Sequence, residues 1–184
     1  LCLTMNDSWG YQPLDSNYKT PLQVIEIFSD VLSKGGNLLL DIGPKADGTI
    51  PEPQKNILRE LGKWTTKHAE AIYTPNGGIP LDHFYGPTTL SADSTVLYLF
   101  VKGNAGNELV LKGIKNKINR IWVVGNGTRL NHNTVGKVYW SQYPGVTYIP
   151  LPDSVLDEYI TVVAVLLDGP IRLFREKSKE VESN

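Results

Sequence analysis

The sequence predicts a chain of mixed class, in which an α/β part is followed by an all-β part. Two observations support this. Over residues 1–73, short apolar runs alternate with segments whose apolar residues recur at helical spacing, in the order strand–helix–strand–helix of two successive β/α units. After a connector, short β-rich runs follow one another with turn residues between them and no helical pattern, which indicates an antiparallel sandwich or barrel.

The first β/α unit is predicted from a strand over Leu1–Met5 and a helix whose start carries a capping signal. Thr20 is the expected cap, Pro21 occupies the first helical position, and Gln23 stands three residues after the cap. These residue types form a capping box, in which two side chains satisfy free backbone N–H groups. Gly35-Gly36 is the expected end of the helix.

The second unit begins with Leu38–Ile42, a nearly continuous apolar run that is typical of a parallel strand covered on both faces. A helix is predicted from about Pro51, with Ile57, Leu58, Leu61 and Trp64 on one face. Two parallel strands cannot bury their own faces and edges. Further strands are therefore expected, in a doubly wound sheet or a closed barrel, and we expect them upstream of Leu1.

The all-β part follows a connector, residues 76–87, which is rich in Gly and Pro. The predicted strands are Val96–Lys102, Glu108–Lys112, Ile118–Val124, Val135–Ser141, Val146–Pro150, Ile160–Leu167 and Ile171–Phe174. The charged end, residues 176–184, is predicted to be a tail.

Composition argues against several classes of partner. The formal net charge is -1, and 18 basic residues are scattered among 19 acidic ones without a basic stripe, so no nucleic-acid partner is expected. No apolar run approaches the roughly 20 residues that span a bilayer, so no membrane partner is expected.

Cys2 is the single cysteine and is expected to be buried in its strand. His68, His83 and His132 show no metal-ligand spacing, so no metal is expected.

Candidate chemistry lies in the two loops that follow the predicted parallel strands, Asn6–Asn17 and Gly43–Thr49, because β/α folds place their sites there. Trp9 in the first loop could pack against the C–H groups of a sugar, or could instead pack the loop onto the fold. Asp41 and Asp47 could form the carboxylate pair of a glycosidase. Structural roles are favoured for both, since Asp47 precedes a glycine in a turn.

Three stretches together resemble the α-L-fucosidases of glycoside hydrolase family 29. Thr4–Tyr11 resembles the loop after the seventh barrel strand of that family. Gly35–Pro44, with Asp47–Pro51 behind it, resembles the eighth strand and its loop. Leu61–Trp64 with Glu70–Tyr73 resembles the last barrel helix. The remainder resembles the C-terminal β-sandwich of the family in its position along the chain and in its succession of short strands.

The resemblance implies a fold and an activity. Residues 1–75 would be the last two β/α units of a (β/α)8-type catalytic barrel, and residues 88–175 a β-sandwich domain. The activity would be retaining exo-hydrolysis of terminal α-L-fucose without a metal or organic cofactor. The implied partners are a fucosylated glycan and the rest of the barrel, and the implied location is secreted, periplasmic or lysosomal.

The resemblance carries one binding residue onto this sequence. Trp9 matches the family aromatic that lines the pocket around the fucose methyl group. Asp41 stands where the family more often has Asn. The nucleophile and the acid/base are expected upstream of Leu1, so no catalytic residue is assigned here, and the isolated 184 residues are expected to be inactive.

The alternative function is a non-catalytic carbohydrate-binding or inactive scaffold module. In that case the sandwich would present aromatic residues to a glycan. Several coplanar exposed rings would favour binding, whereas buried rings would favour a supporting role. The candidate aromatics are Trp122, Tyr139, Trp140 and Tyr148.

Overall fold

The structure, a computed structural model, describes residues 1–73, 75–103 and 106–174. The tail predicted over residues 176–184 lies outside the described residues. The first part of the chain consists of strand β1 (Cys2–Thr4), helix α1 (Pro21–Ser33), strand β2 (Leu39–Asp41), helix α2 (Glu52–Lys67) and the short helix α3 (Ala69–Ile72). Strands β1 and β2 pair in parallel, which confirms the predicted strand–helix–strand–helix order. None of the described helices is both long and apolar enough to span a bilayer.

The capping box at the start of α1 is formed as the sequence predicts. The Thr20 hydroxyl accepts a hydrogen bond from the Gln23 N–H (3.2 Å), and the Gln23 side chain accepts one from the Thr20 N–H (2.8 Å). Two N–H groups at the helix start are thereby satisfied. Gly35 follows the helix with a φ of 69°, a backbone conformation that favours glycine.

The parallel pair is covered on one face only. Met5 and Leu40 pack with Val24 of α1 and Ile57 of α2 on the covered face. Cys2 and its register partner Leu39 share the opposite face, where both side chains are exposed. The prediction that Cys2 is buried was therefore wrong for this structure, because helices α1 and α2 lie against the other side of its strand.

Two antiparallel sheets form the second part, a β-sandwich. The five-stranded sheet has the order β3-β4-β5-β10-β7, and the three-stranded sheet has the order β6-β9-β8. Their strands are β3 (Asn76–Gly77), β4 (Thr88–Leu90), β5 (Val96–Lys102), β6 (Glu108–Lys112), β7 (Ile118–Val123), β8 (Asn133–Val135), β9 (Val146–Pro150) and β10 (Ile160–Leu167).

Strand β10 lies inside the five-stranded sheet and is buried on both faces. Val163 and Val165 pack towards the three-stranded sheet. Val162 and Ala164 pack in the cluster that contains Trp64 of α2 and residues of α1 and α3. The apolar run Val162–Leu167 of β10 therefore reflects a central strand between two layers, with helices on one side and a sheet on the other.

Two predicted strands differ from the structure. The strand predicted over Val135–Ser141 is β8, which ends at Val135, because Gly136 turns the chain with a φ of 76°. The strand predicted over Ile171–Phe174 is reduced to a single bridge between Ile114 and Leu173. There the Arg172 N–H donates to the Asn116 side chain (2.6 Å) instead of joining a ladder.

The predicted connector contributes to the sheet and the core. Asn76–Gly77 forms β3, which pairs with β4. The sequence pattern did not predict a strand at either place. His83 and Phe84 are buried, although the segment around them has no regular secondary structure. Gly and Pro therefore mark the turns of this segment without marking it as solvent-exposed.

Candidate functional site

The loops that follow β1 and β2, here loop 1 (residues 5–20) and loop 2 (residues 42–51), contact each other closely. A Cβ atom on Gly43 of loop 2 would lie 2.8 Å from both the carbonyl carbon of Gly10 and the backbone nitrogen of Tyr11. Real Cβ atoms are not found that close to backbone atoms, so this contact requires glycine at position 43. The two loops therefore form one surface at the carboxyl ends of the parallel strands.

Loop 2 is fixed from below by a buried side chain. Gln54 in the first turn of α2 is 2% exposed, and its side-chain oxygen accepts a hydrogen bond from the Gly43 N–H (3.0 Å). Gln54 stands three residues before Ile57 on the apolar face of the helix. A polar residue at an apolar helix position was the signal in the sequence that could have identified it.

Loop 1 is organised around the carboxylate of Asp15. This group accepts hydrogen bonds from the Ser8 hydroxyl (2.7 Å), the Asp7 N–H (3.1 Å) and the Asn17 N–H (3.1 Å). The hydrogen bond from Ser8, followed by the backbone donors, holds the pKa of Asp15 below its ordinary value. The ionised carboxylate thus fixes the fold of the loop on both sides of Trp9. No local pattern in the sequence showed that Asp15 would turn back onto Ser8.

Trp9 lies on the surface of this ordered loop. Its side chain is 66% exposed, and the Tyr11 side chain is 42% exposed. The Lys19 N–H donates to the Met5 carbonyl (2.8 Å) and closes the base of the loop beneath them. The loop is therefore held by its own hydrogen bonds, and the Trp9 ring leaves most of its surface available to another molecule or to a further part of the polypeptide.

The two candidate carboxylates occupy different settings. The Asp47 carboxylate accepts hydrogen bonds from both the N–H (2.9 Å) and the hydroxyl (2.7 Å) of Thr49. These bonds lower the pKa of Asp47 and serve a turn within loop 2. Asp41 ends strand β2 opposite Thr4. Asp47 thus has a turn-forming role, in keeping with the structural role that its position before glycine favoured.

The three histidines lie in separate parts of the structure. His68 and His83 are buried, and His132 is exposed. Over residues 1–73, 75–103 and 106–174, no group of three or more His, Cys, Asp and Glu side chains is placed to hold a metal ion.

The aromatic residues of the sandwich divide into two kinds. Trp122 and Tyr148 are half-buried within strands β7 and β9. Tyr139 and Trp140 lie in the segment between β8 and β9 and are 96% and 73% exposed. Their ring centroids are 4.7 Å apart, but the rings are nearly perpendicular, at 86°. The pair therefore offers two differently oriented faces and lacks the coplanar arrangement of exposed rings that would favour a flat glycan-binding surface.

Comparison with known proteins agrees with this arrangement. Residues 1–70 match the family model described as Alpha-L-fucosidase. Over 141 residues the chain is 31% identical to the plasma alpha-L-fucosidase of Homo sapiens, covering 71% of this chain and 30% of that protein. It is also 42% identical over 69 residues to the tissue alpha-L-fucosidase of Macaca fascicularis, covering 36% of this chain and 14% of that protein. The chain thus spans less than a third of these curated relatives.

Solved structures are similar over both parts of the chain. Alpha-L-fucosidase isoenzyme 1 from Paenibacillus thiaminolyticus aligns with a TM-score of 0.78 and 28% identity, covering 91% of this chain and 39% of that chain. The alpha-L-fucosidase from Vibrio sp. strain EJY3 aligns with a TM-score of 0.80 and 26% identity, covering 94% of this chain and 30% of that chain. With the family model on its first part and this likeness throughout, the chain belongs to the alpha-L-fucosidase family, glycoside hydrolase family 29.

Proposed function

We propose that this chain forms the C-terminal part of a retaining exo-α-L-fucosidase, with loops 1 and 2 contributing to the fucose pocket. The observation that carries the proposal is the exposed Trp9 ring on a loop that Asp15 holds in shape and that packs onto loop 2 at Gly43. Membership of the alpha-L-fucosidase family supports the same chemistry.

Trp9 would bind the apolar side of the sugar. L-Fucose is a 6-deoxy sugar, so a methyl group stands where a hydroxymethyl group would otherwise be. An indole face packs well against such a methyl group and the ring C–H groups, and gains less from a polar hydroxymethyl group. An indole face in contact with the sugar at C6 therefore favours fucosides over their 6-hydroxylated counterparts.

The remaining strands of a catalytic barrel are the proposed partner of β1 and β2. The uncovered face of this pair, with Leu39 67% exposed, supports their presence, because a two-stranded parallel sheet is not found exposed on its own. Residues 1–75 would then be the last two β/α units of a (β/α)8-type barrel, joined through residues 76–87 to the sandwich.

The proposed reaction uses two carboxyl groups and needs no metal or organic cofactor. A carboxylate attacks the anomeric carbon of fucose while a carboxylic acid protonates the departing glycosidic oxygen. Water, deprotonated by the same acid/base, then cleaves the covalent fucosyl-enzyme and releases fucose with its configuration retained. We assign neither group to Asp41 or Asp47 and place both outside residues 1–184.

The test is hydrolysis by the complete polypeptide that contains these residues. We expect cleavage of an aryl α-L-fucoside well above that of the matching aryl α-L-galactoside, which differs by the hydroxyl group at C6. Proton NMR of the first-formed sugar should show the α-anomer. The isolated 184 residues should show no activity. A folded complete protein that cleaves neither glycoside would contradict the proposal and would favour the carbohydrate-binding or inactive scaffold alternative.

We also propose a secreted, periplasmic or lysosomal location. The support comes from the relatives, one of which is named a plasma enzyme. Fractionation of the source cells, with the protein followed by antibody, tests this. Recovery of the protein in the cytosolic fraction alone would contradict it.

A further inference from the structure

A basic cleft lies on the sandwich, between the segment that follows β6 and the β8–β9 hairpin. Its volume is about 510 Å³, and the lysines that line it are Lys115, Lys117 and Lys137. Thr147, buried in β9, also lines it, and its hydroxyl is hydrogen-bonded to that of Thr134 (2.8 Å). The three lysines come from segments about 20 residues apart in sequence, so the fold creates a concentration of charge that the sequence does not show.

The positive charge of the cleft is not balanced locally. None of these lysines forms a salt bridge with a described residue, whereas Lys34, Lys63 and Lys102 elsewhere on the surface each pair with a carboxylate. Asp168 also lines the cleft. However, its carboxylate already accepts hydrogen bonds from Asn116 (2.9 Å) and Arg172 (3.4 Å). The lining of the cleft therefore carries an excess of positive charge, although the chain as a whole carries a net charge of -1.

The exposed aromatic pair belongs to the segment that carries one of these lysines. Lys137, Tyr139 and Trp140 stand between Gly136 and Gly145, whose φ values of 76° and 91° turn the chain at each end. Ammonium groups bind sulfate or carboxylate, while an exposed aromatic face packs against the C–H groups of a sugar. A saccharide that carries negative charge satisfies both features, whereas a neutral saccharide leaves the lysines unused.

We infer that the Lys115–Lys117–Lys137 cleft, together with the Tyr139–Trp140 pair on the segment that carries Lys137, binds a saccharide bearing sulfate or carboxylate groups. This inference rests on the proposed function for the source of the ligand, which would be part of the glycan that the enzyme acts on. The substrate class would then be anionic fucosylated glycans.

Binding to the complete protein, measured by isothermal titration calorimetry, tests the inference. The probes are a sulfated fucan oligosaccharide, an oligogalacturonate and the desulfated fucan oligosaccharide. We expect the neutral probe to bind at least about tenfold more weakly than the better of the two anionic probes, and that binding to weaken with added salt. The first two probes distinguish sulfate from carboxylate as the group recognised. Equal affinity for all three probes would overturn the inference.

The variants separate a site from general charge attraction. The triple variant Lys115→Gln, Lys117→Gln, Lys137→Gln should lose about tenfold or more in affinity for the anionic probe. The matched triple variant Lys34→Gln, Lys63→Gln, Lys102→Gln carries the same change in net charge and should retain the affinity. Equal losses in both, or equally tight binding of duplex DNA by the wild-type protein, would overturn the inference.

The role of the aromatic pair is tested by Trp140→Ala, which should also weaken binding of the anionic probe. Unchanged affinity in this variant would overturn the aromatic half of the site. Wild-type hydrolysis of an aryl α-L-fucoside without binding of either anionic probe would overturn this inference and leave the proposed function standing. Binding of an anionic probe without hydrolysis of the fucoside would overturn the proposed function and leave the anion-binding site standing.

Discussion

The His68 imidazole at the end of α2 lies 2.8 Å from the carboxylate of Asp157, which precedes β10 in the sandwich. The other ring nitrogen lies 2.9 Å from the carbonyl oxygen of Trp64. The two ring nitrogens of His68 are thus each within hydrogen-bond distance of an oxygen atom, one from each part of the chain. Lys67 also forms an ion pair with Asp157. These contacts join the helical part of the chain to the sandwich.

Replacing Asp157 should destabilise this junction. In Asp157→Asn the fully buried His68 loses its anionic partner, and the free energy of unfolding should fall by on the order of 3 kcal/mol. Urea unfolding of the complete protein measures the change. The neighbouring exposed Glu158 provides the control, because Glu158→Gln removes a negative charge from the surface alone. Equal stability of the two variants would contradict the account.

The contribution of Asp157 should depend on pH in one direction. Burial raises the pKa of Asp157, but the hydrogen bonds from His68 and Lys67 outweigh it and leave the pKa below its ordinary value. A group with a lowered pKa in the folded state stabilises the fold above its unfolded pKa, and loses that contribution as the pH falls through the folded value. The stability difference between wild type and Asp157→Asn should thus be full at pH 6 and shrink below about pH 4. Urea unfolding of both proteins across this pH range measures the difference. A stability difference that does not change with pH would show that the ion pair does not contribute.

Trp64 makes a second connection between the same two parts. Its indole N–H donates to the Ile160 carbonyl at the start of β10 (2.8 Å), and the side chain is 4% exposed. Trp64→Phe should cost about 1–3 kcal/mol or more, since it leaves a buried carbonyl without its donor and removes part of the packing. Trp122→Phe serves as the comparison, because its N–H contact with Glu70 (3.3 Å) is exposed. Similar shifts in thermal unfolding for both variants would refute the importance of the buried bond.

Gly43 should tolerate no side chain, whereas Gly10 should. A Cβ on Gly43 would push against the backbone of loop 1, so Gly43→Ala should separate the two loops and reduce kcat/KM for an aryl α-L-fucoside by about tenfold or more. A Cβ on Gly10 would meet no atom within 4 Å, and Gly10→Ala should leave the contact intact. Steady-state kinetics on both variants give the answer. Full activity in Gly43→Ala would mean that this contact does not shape the site.

Local sequence patterns predicted the helices and strands better than they predicted which residues of those elements are buried or in contact. The capping box at Thr20 and the apolar run of β10 each depend on neighbours in sequence or on the period of a strand or helix. The exposure of Cys2 and the fold of loop 1 around Asp15 depend on which distant segments lie against them. The early end of β8 depends on the positive φ of Gly136, and the hydropathy of the residues that follow does not encode it.

The candidate site was predictable to a similar degree. The position of Trp9 after a parallel strand indicated loop 1 as the candidate site, because sites of β/α folds lie at the carboxyl ends of strands, and a binding role for Trp9 stays a prediction. The groups that order this surface, Gln54 and Asp15, act through contacts with loop 2 and loop 1 that no spacing rule describes. The lysines of the cleft come from two segments that are distant in sequence, so the cleft appears only in three dimensions.

The most direct test of the central claim is kcat/KM of Trp9→Ala on an aryl α-L-fucoside in the complete protein. The claim is that the exposed Trp9 ring on loop 1 forms part of the fucose pocket. We predict a loss of about tenfold or more for Trp9→Ala with the fold intact, and little change for Leu14→Ala, which removes another highly exposed apolar side chain (91%) from the same loop. A Trp9→Ala enzyme as active as Leu14→Ala and wild type would contradict the claim.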